Sequence, residues 1–117
     1  MSTITVYGIP NCDTIKKTLD WFKKHKVTVV FHDYKKEGIS KEKLTAWCKQ
    51  AGWEVLLNKR STTWRELPEN EQAAVTTTAA AIKLMQQQTS IIKRPVIEFE
   101  KKLLVGFDEN ILNSTFK

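Results

Sequence analysis

The sequence predicts an α/β fold with a mixed four-stranded sheet, ordered β-α-β, helical insertion, β-β-α. Three observations carry that expectation. Two β-rich runs, Thr3-Ile4-Thr5-Val6-Tyr7 and Val27-Thr28-Val29-Val30-Phe31-His32, flank a helical pattern. Together they span ~30 residues, the size of a right-handed βαβ unit. A largely helical stretch follows. Val96-Ile97-Glu98-Phe99 and Leu103-Leu104-Val105 then bracket the polar turn Glu100-Lys101-Lys102, as an antiparallel pair does.

The first strand ends in Gly8-Ile9-Pro10-Asn11, which is a turn by composition. Directly behind it, Ile15, Leu19 and Phe22 recur on one helical face. The run from Val27 to His32 is β-branched and alternating, so it reads as the second strand. Gly38 breaks the chain, Ser40 is suited to cap a helix through Lys49, and Gly52 stops that helix. Leu44, Trp47, Cys48 and Ala51 share its apolar face. Trp53, Val55, Leu56 and Leu57 form a short apolar group, followed by the polar run Asn58 to Thr63 and a break at Leu67-Pro68-Glu69-Asn70. Ala73 to Gln88 reads as one helix or two, with Ala81, Leu84 and Met85 inward and Thr76-Thr77-Thr78 capping or interrupting it. After the hairpin, Asp108 is suited to cap a last helix with Ile111, Leu112 and Phe116 inward. This order is the thioredoxin-like arrangement. It is expected to form one domain over residues 1–117, with a helical insertion at about 40–90.

A chain of 117 residues, 41% hydrophobic and 27% charged, is enough for one core. No apolar run approaches a membrane span and the N-terminus lacks a signal pattern, so a cytoplasmic protein with no membrane partner is expected. Cys12 and Cys48 are the only cysteines, so one disulfide is the ceiling. In a reducing compartment a lone exposed thiol reads as catalytic rather than structural. The net charge of +6 is spread in pairs such as Lys16-Lys17 and Lys93-Arg94, without interleaved aromatics. It reads as solvated surface, and no nucleic-acid partner is expected. Cys12, His25, His32 and Cys48 have no zinc-like spacing, and there is no phosphate loop or dinucleotide fingerprint, so no metal is expected.

Cys12 follows Pro10-Asn11 in the turn and opens the first helix. There, unpaired backbone N–H groups and the helix dipole favour an anion, so Cys12 is the candidate nucleophile. Asp13 opposes that tendency and Lys16, one turn on, favours it. Position 15, where a Cys-x-x-Cys pair would carry its second thiol, holds Ile15. Any covalent intermediate must then be resolved by another molecule. Cys48, on an apolar helical face, reads as a core residue. Asn11 and Thr14 can assist through an amide or the turn's N–H groups, although a plain turn and cap explain them equally well. Taken alone, Arg60 and Arg94 are an arginine in a polar loop and a member of a surface Lys-Arg pair.

The segment Tyr7-Gly8-Ile9-Pro10-Asn11-Cys12-Asp13-Thr14 resembles the active-site segment of the arsenate reductase-related (ArsC/YffB/Spx-like) proteins of bacteria. Further blocks match in the family's order: His32 to Lys36, Leu57 to Trp64, Ile92 to Val96 and Val105 to Glu109. They cover almost the whole chain, and the likeness is greatest to the YffB branch. The resemblance implies the same thioredoxin-like fold, with Pro95 cis at the start of its strand and Arg94 beside Cys12. A guanidinium there can pair with an oxyanion or a carboxylate in two-pronged fashion. It aligns Arg60 with a second anion-binding arginine. It also places Phe107 where arsenate reductases carry a third arginine, and Gly8 where they carry a histidine.

These readings together lead to a cytoplasmic, monomeric, single-thiol oxidoreductase that binds no cofactor and uses glutathione as cosubstrate. Cys12 attacks a small-molecule or protein disulfide and forms a mixed disulfide. Glutathione resolves it, held by Arg94, Arg60, Asn11, Thr14 and Pro95, with glutaredoxin as a further partner implied by the resemblance. The rivals are glutathione- or glutaredoxin-dependent arsenate reduction, and Spx-like regulation of transcription through RNA polymerase. Such regulators usually carry a Cys-x-x-Cys switch, which Ile15 removes here.

Overall fold

A computed structural model describes residues 3–10, 12–100 and 102–116. Four strands, β1 (Ile4–Gly8), β2 (Val30–Asp33), β3 (Val96–Phe99) and β4 (Lys102–Val105), form one mixed sheet in the order β2-β1-β3-β4. β1 and β2 are parallel, and β3 is antiparallel to both β1 and β4. This is the arrangement expected from the order of elements.

Helix α1 (Asp13–Lys24) makes the crossover from β1 to β2. It buries Ile15, Thr18, Trp21 and Phe22, while Leu19 is only half-buried, so the inward face is rotated slightly from the one the pattern suggested. Thr18 tolerates full burial because its hydroxyl donates to the Thr14 carbonyl at 2.8 Å. β2 begins three residues later than the β-branched run. The Val27 N–H is taken by the Phe22 carbonyl at 2.9 Å, closing the helix end, so it is withheld from the sheet ladder.

Between β2 and β3 the chain is helical. α2 (Tyr34–Glu37) is capped by the Asp33 carboxylate, which accepts from the Lys35 N–H. α3 (Lys41–Ala51) is capped by Ser40 and stopped by Gly52, whose φ of 92° suits glycine. α4 (Trp53–Leu56) and α5 (Thr62–Arg65) are single turns. The Ala73–Gln88 stretch proves to belong to two helices, α6 (Glu69–Ala73) and α7 (Thr78–Gln87), because Thr77 leaves the helical path to cap α7. A 3-10 turn (Thr89–Ile91) leads back to the sheet. α8 (Glu109–Phe116) follows β4, and the Asp108 carboxylate accepts from the Asn110 and Ile111 N–H groups. Ile111, expected to face inward, is 45% exposed, whereas Leu112 beside it is buried. Consecutive helical residues point ~100° apart, so only one of the two can face the sheet.

Strand alternation divides the core between the two faces of the sheet. Ile4, Val6 and Ile97 pack with Trp21, Phe22 and Leu112 under α1 and α8. Tyr7 and Val96 pack on the other face with Tyr34, Leu44, Trp47, Ala81 and Met85. That second face holds a carboxylate. Glu98 of β3 accepts from the Tyr7 hydroxyl (2.7 Å), the Trp47 indole N–H (2.8 Å) and the Lys43 ammonium (3.1 and 3.2 Å). Burial raises the Glu98 carboxyl, but the bonds from Trp47, Tyr7 and Lys43 more than offset it and hold it below the ordinary value of 4.5. The same burial, and the hydrogen bond to Glu98, push the Tyr7 hydroxyl up.

A carboxyl lowered in the folded state stabilises that state above its unfolded value, and the contribution fades as pH falls through the folded value. Glu98→Ala leaves the Tyr7 hydroxyl and the Trp47 indole N–H without their acceptor and frees Lys43, and a loss on the order of 2–4 kcal/mol is expected at neutral pH. Urea titration of the wild type and of Glu98→Gln should show their largest difference above pH 4.5, shrinking progressively below it. A pH-independent difference would contradict the ionised hub.

Candidate active site

Strand directions decide where chemistry can gather. β1 and β2 are parallel, so Gly8 and Asp33, paired in the register, leave the sheet at one edge. β3 enters at that same edge, since Tyr7 pairs with Val96 in antiparallel fashion. β4 ends there too. The Gly106 N–H donates to the Pro95 carbonyl at 2.8 Å, tying the Gly106-Phe107 turn to the start of β3. Gly106 has a φ of 90°, which favours glycine in this turn.

Cys12 is the N-cap of α1, with extended backbone (φ −130°, ψ 127°) and no hydrogen bond from its side chain to the helix. Its carbonyl accepts from the Lys16 N–H at 3.0 Å, and its side chain is half-buried. The free N–H groups of a 12-residue helix therefore open beside the thiol, an environment that favours an anion. Thr14, in the first turn, is half-buried and supplies the carbonyl that accepts from Thr18. Ile15, at the position of the absent second thiol, is completely buried. It packs directly on Gly8. A Cβ on Gly8 would run into Ile15 Cδ1 and lie 2.7 Å from its Cγ1, so any side chain there would have to displace Ile15.

The Arg94–Pro95 peptide bond is cis, as the resemblance implied. Pro95 is buried and Arg94 half-buried. The aliphatic stem of Arg94 passes close to Gly8, with Cγ 3.9 Å from where a Cβ would stand. Its charge is felt by Tyr34, the first residue after β2. Burial pushes the Tyr34 hydroxyl up, Tyr7 and Glu98 add to the rise, and Arg94 opposes it. Tyr34 is 2% exposed, and its hydroxyl has no hydrogen-bond partner among the described residues. Sequence reasoning gave Tyr34 no role. Its only signal was membership of the His32–Lys36 block.

Arg60 is not brought to this group by any described contact. It is exposed, and its backbone N–H donates to Asn58 Oδ1 at 3.0 Å. Leu57 and Ile92 form an antiparallel bridge, from which the chain toward Arg60 and the chain toward Arg94 depart in opposite directions. Asn11 lies outside the described residues. Phe107 is half-buried and packs against the core under α1 and α8. Cys48 is a free thiol, half-buried against the α3 side of the core, and burial pushes its pKa up. Among the described residues no three His, Cys, Asp or Glu side chains are grouped to hold a metal ion. No helix among them is long and apolar enough to cross a membrane.

Comparison with known proteins agrees with this architecture. The ArsC family profile matches residues 7–114. An uncharacterised protein of Haemophilus influenzae is 43% identical over 113 residues, covering 97% of this chain and 98% of that protein. The global transcriptional regulator Spx of Streptococcus pneumoniae is 26% identical over 109 residues, covering 92% of this chain and 80% of the regulator. Among solved structures, the YFFB protein superposes with a TM-score of 0.94 at 44% identity, covering 98% of this chain and 100% of that one. An arsenate reductase (ArsC) related protein from Brucella melitensis gives 0.77 at 46% identity, over 98% and 95% of the two chains. A profile spanning nearly the whole chain, relatives above 40% identity and the thioredoxin-like sheet leave one assignment: the chain belongs to the ArsC family, the arsenate reductase-related proteins.

Proposed function

We propose that this protein is a single-thiol, glutathione-dependent thiol oxidoreductase with Cys12 as its nucleophile. The observation that carries the reading is the Cys12 thiol at the start of α1, with buried Ile15 where a second thiol would stand. The Cys12 thiolate attacks a disulfide R–S–S–R′, forming the Cys12–S–S–R mixed disulfide and releasing R′ as its thiolate. A glutathione thiolate then attacks the R sulfur. Cys12 leaves as thiolate, and the electron pair of the new bond resides in the glutathione–R disulfide. Arg94, beside Gly8, is suited to a glutathione carboxylate, and Thr14 and Pro95 are proposed as further contacts. Asn11 and Arg60 are the further binding residues of the reading. Glutaredoxin is a partner able to take over the resolving step, in the cytoplasm, and the protein acts as a monomer.

Two other readings descend from the family. The Spx relatives are named as transcriptional regulators, but a regulator with a dithiol switch needs the thiol that Ile15 replaces. Arsenate reduction is disfavoured by two residues. Phe107 has no donor for an oxyanion, and a histidine at position 8 would collide with Ile15. Losing one charged donor from a part-buried oxyanion site costs ~1.5–3 kcal/mol, or one to two powers of ten in affinity.

Mass spectrometry after incubation with oxidised glutathione should find a mixed disulfide on Cys12, absent in Cys12→Ser and retained in Cys48→Ser. No adduct on Cys12 would overturn the reading. In a glutathione-coupled assay, arsenate turnover should fall at least about tenfold below that of an enzyme with three site arginines. Comparable turnover, abolished by Cys12→Ser, would promote arsenate reduction in its place.

A further inference from the structure

β4 ends the sheet. It pairs with β3, and among the described residues no strand lies on its other side. The Gly106 N–H points inward, to the Pro95 carbonyl. Backbone groups of successive residues alternate between the two sides of a strand, so those of Leu104 also face β3 and those of Leu103 and Val105 face outward. Two donors and two acceptors are left at a free edge. Proteins commonly protect such an edge with charges, proline or a bulge. The other edge strand, β2, carries His32 and Asp33 in its last two positions. β4 has Lys102 at its first position and then only Leu103-Leu104-Val105.

This edge lies at the bottom of a groove of about 240 Å³, whose floor is the 103–106 segment. Ala51 and Val55 form the wall on the side of α3 and α4, and Ile111 and Leu112 the wall on the side of α8. The groove therefore straddles the sheet instead of lying on one face. Leu103 packs with the core under α3, and Leu104 with the core under α1 and α8. Among the described residues three large apolar side chains are exposed, and two of them, Val55 and Ile111, stand on these opposite walls. The volume is below the ~300 Å³ at which small-molecule sites begin. An added strand uses what the groove offers. Its backbone satisfies the outward groups, and its side chains, pointing alternately to the two faces, meet an apolar wall on each.

Charge narrows the occupant. Lys102 is exposed at the start of β4 and forms no ion pair among the described residues, and Asp108 lines the far end of the groove. An antiparallel segment with a basic residue at its amino end and an acidic residue at its carboxyl end complements both. A second copy of this chain is opposed by the net charge of +6 on each.

We infer that the free edge of β4 docks an extended apolar segment of a partner protein, which joins the sheet as a fifth, antiparallel strand. Against the four residues of β4 the segment runs for ~13 Å. The site is separate from the thiol chemistry and stands whether or not Cys12 exchanges.

The test uses the whole isotope-labelled protein and the blocked hexapeptide acetyl-Lys-Val-Thr-Ile-Val-Glu-amide. In the free protein the Leu103 and Val105 amides should exchange rapidly with solvent and that of Leu104 slowly. The peptide at about 1 mM should slow exchange at Leu103 and Val105 by about twofold or more and leave Leu104 unchanged. The double variant Val55→Glu/Ile111→Glu changes only exposed side chains and puts a charge on each wall. It should weaken peptide binding by about tenfold or more. Unaltered exchange at Leu103 and Val105, or protection that survives in the double variant, overturns the inference. Slow exchange at both before peptide is added, with a doubled mass in ultracentrifugation, assigns the edge to a second copy and overturns it as well.

Discussion

Three donors from two elements converge on one carboxylate, and most of the geometry described above depends on it. Glu98 sits in the middle of β3, on the face where α3 packs, and takes the hydroxyl of Tyr7 from the neighbouring strand and the indole and ammonium of Trp47 and Lys43 from the helix. A carboxylate in that position would destabilise a sheet face if left bare, and the donors would be equally costly to bury alone. Satisfied together, they fix α3 over the sheet in one orientation. They also hold the Tyr7 ring, against which Trp47 packs edge-on at 4.8 Å and Tyr34 stacks at 6.2 Å. Gly8 follows Tyr7 directly, so the hub anchors the strand from which the chain departs toward Cys12.

At that edge the backbone does most of the positioning. The helix start presents N–H groups beside Cys12, and the Gly8 backbone is approached from one side by Ile15 and passed by the stem of Arg94. Positions 8 and 15 are thus coupled. A side chain at position 8 would force the Ile15 side chain to shift or give way to a smaller one. Ile15 fills the space that a histidine at position 8 would need.

What was legible in the sequence was local. Ser40 and Asp108 announce their helices because a cap satisfies N–H groups within three residues, and the hairpin shows in its alternation. The thiol was visible because a turn followed by an apolar helical period puts Cys12 at a helix start. Long-range pairing was hidden. Nothing near Glu98 announces that its partner Tyr7 lies 91 residues away, and nothing near Tyr34 announces an unpaired buried hydroxyl. Ile111 was misread because a short amphipathic helix leaves the choice between adjacent apolar residues to the packing.

The proposed exchange chemistry requires Cys12, and not Cys48, as the working thiol. Both are free and half-buried, but Cys12 opens a helix while burial pushes the Cys48 thiol up. Limited alkylation of the native protein with iodoacetamide at neutral pH, followed by peptide mapping over time, separates them directly. Cys12 should be labelled first, with Cys48 reacting appreciably only once the protein is unfolded. Labelling of Cys48 as fast as Cys12 in the native state would contradict it.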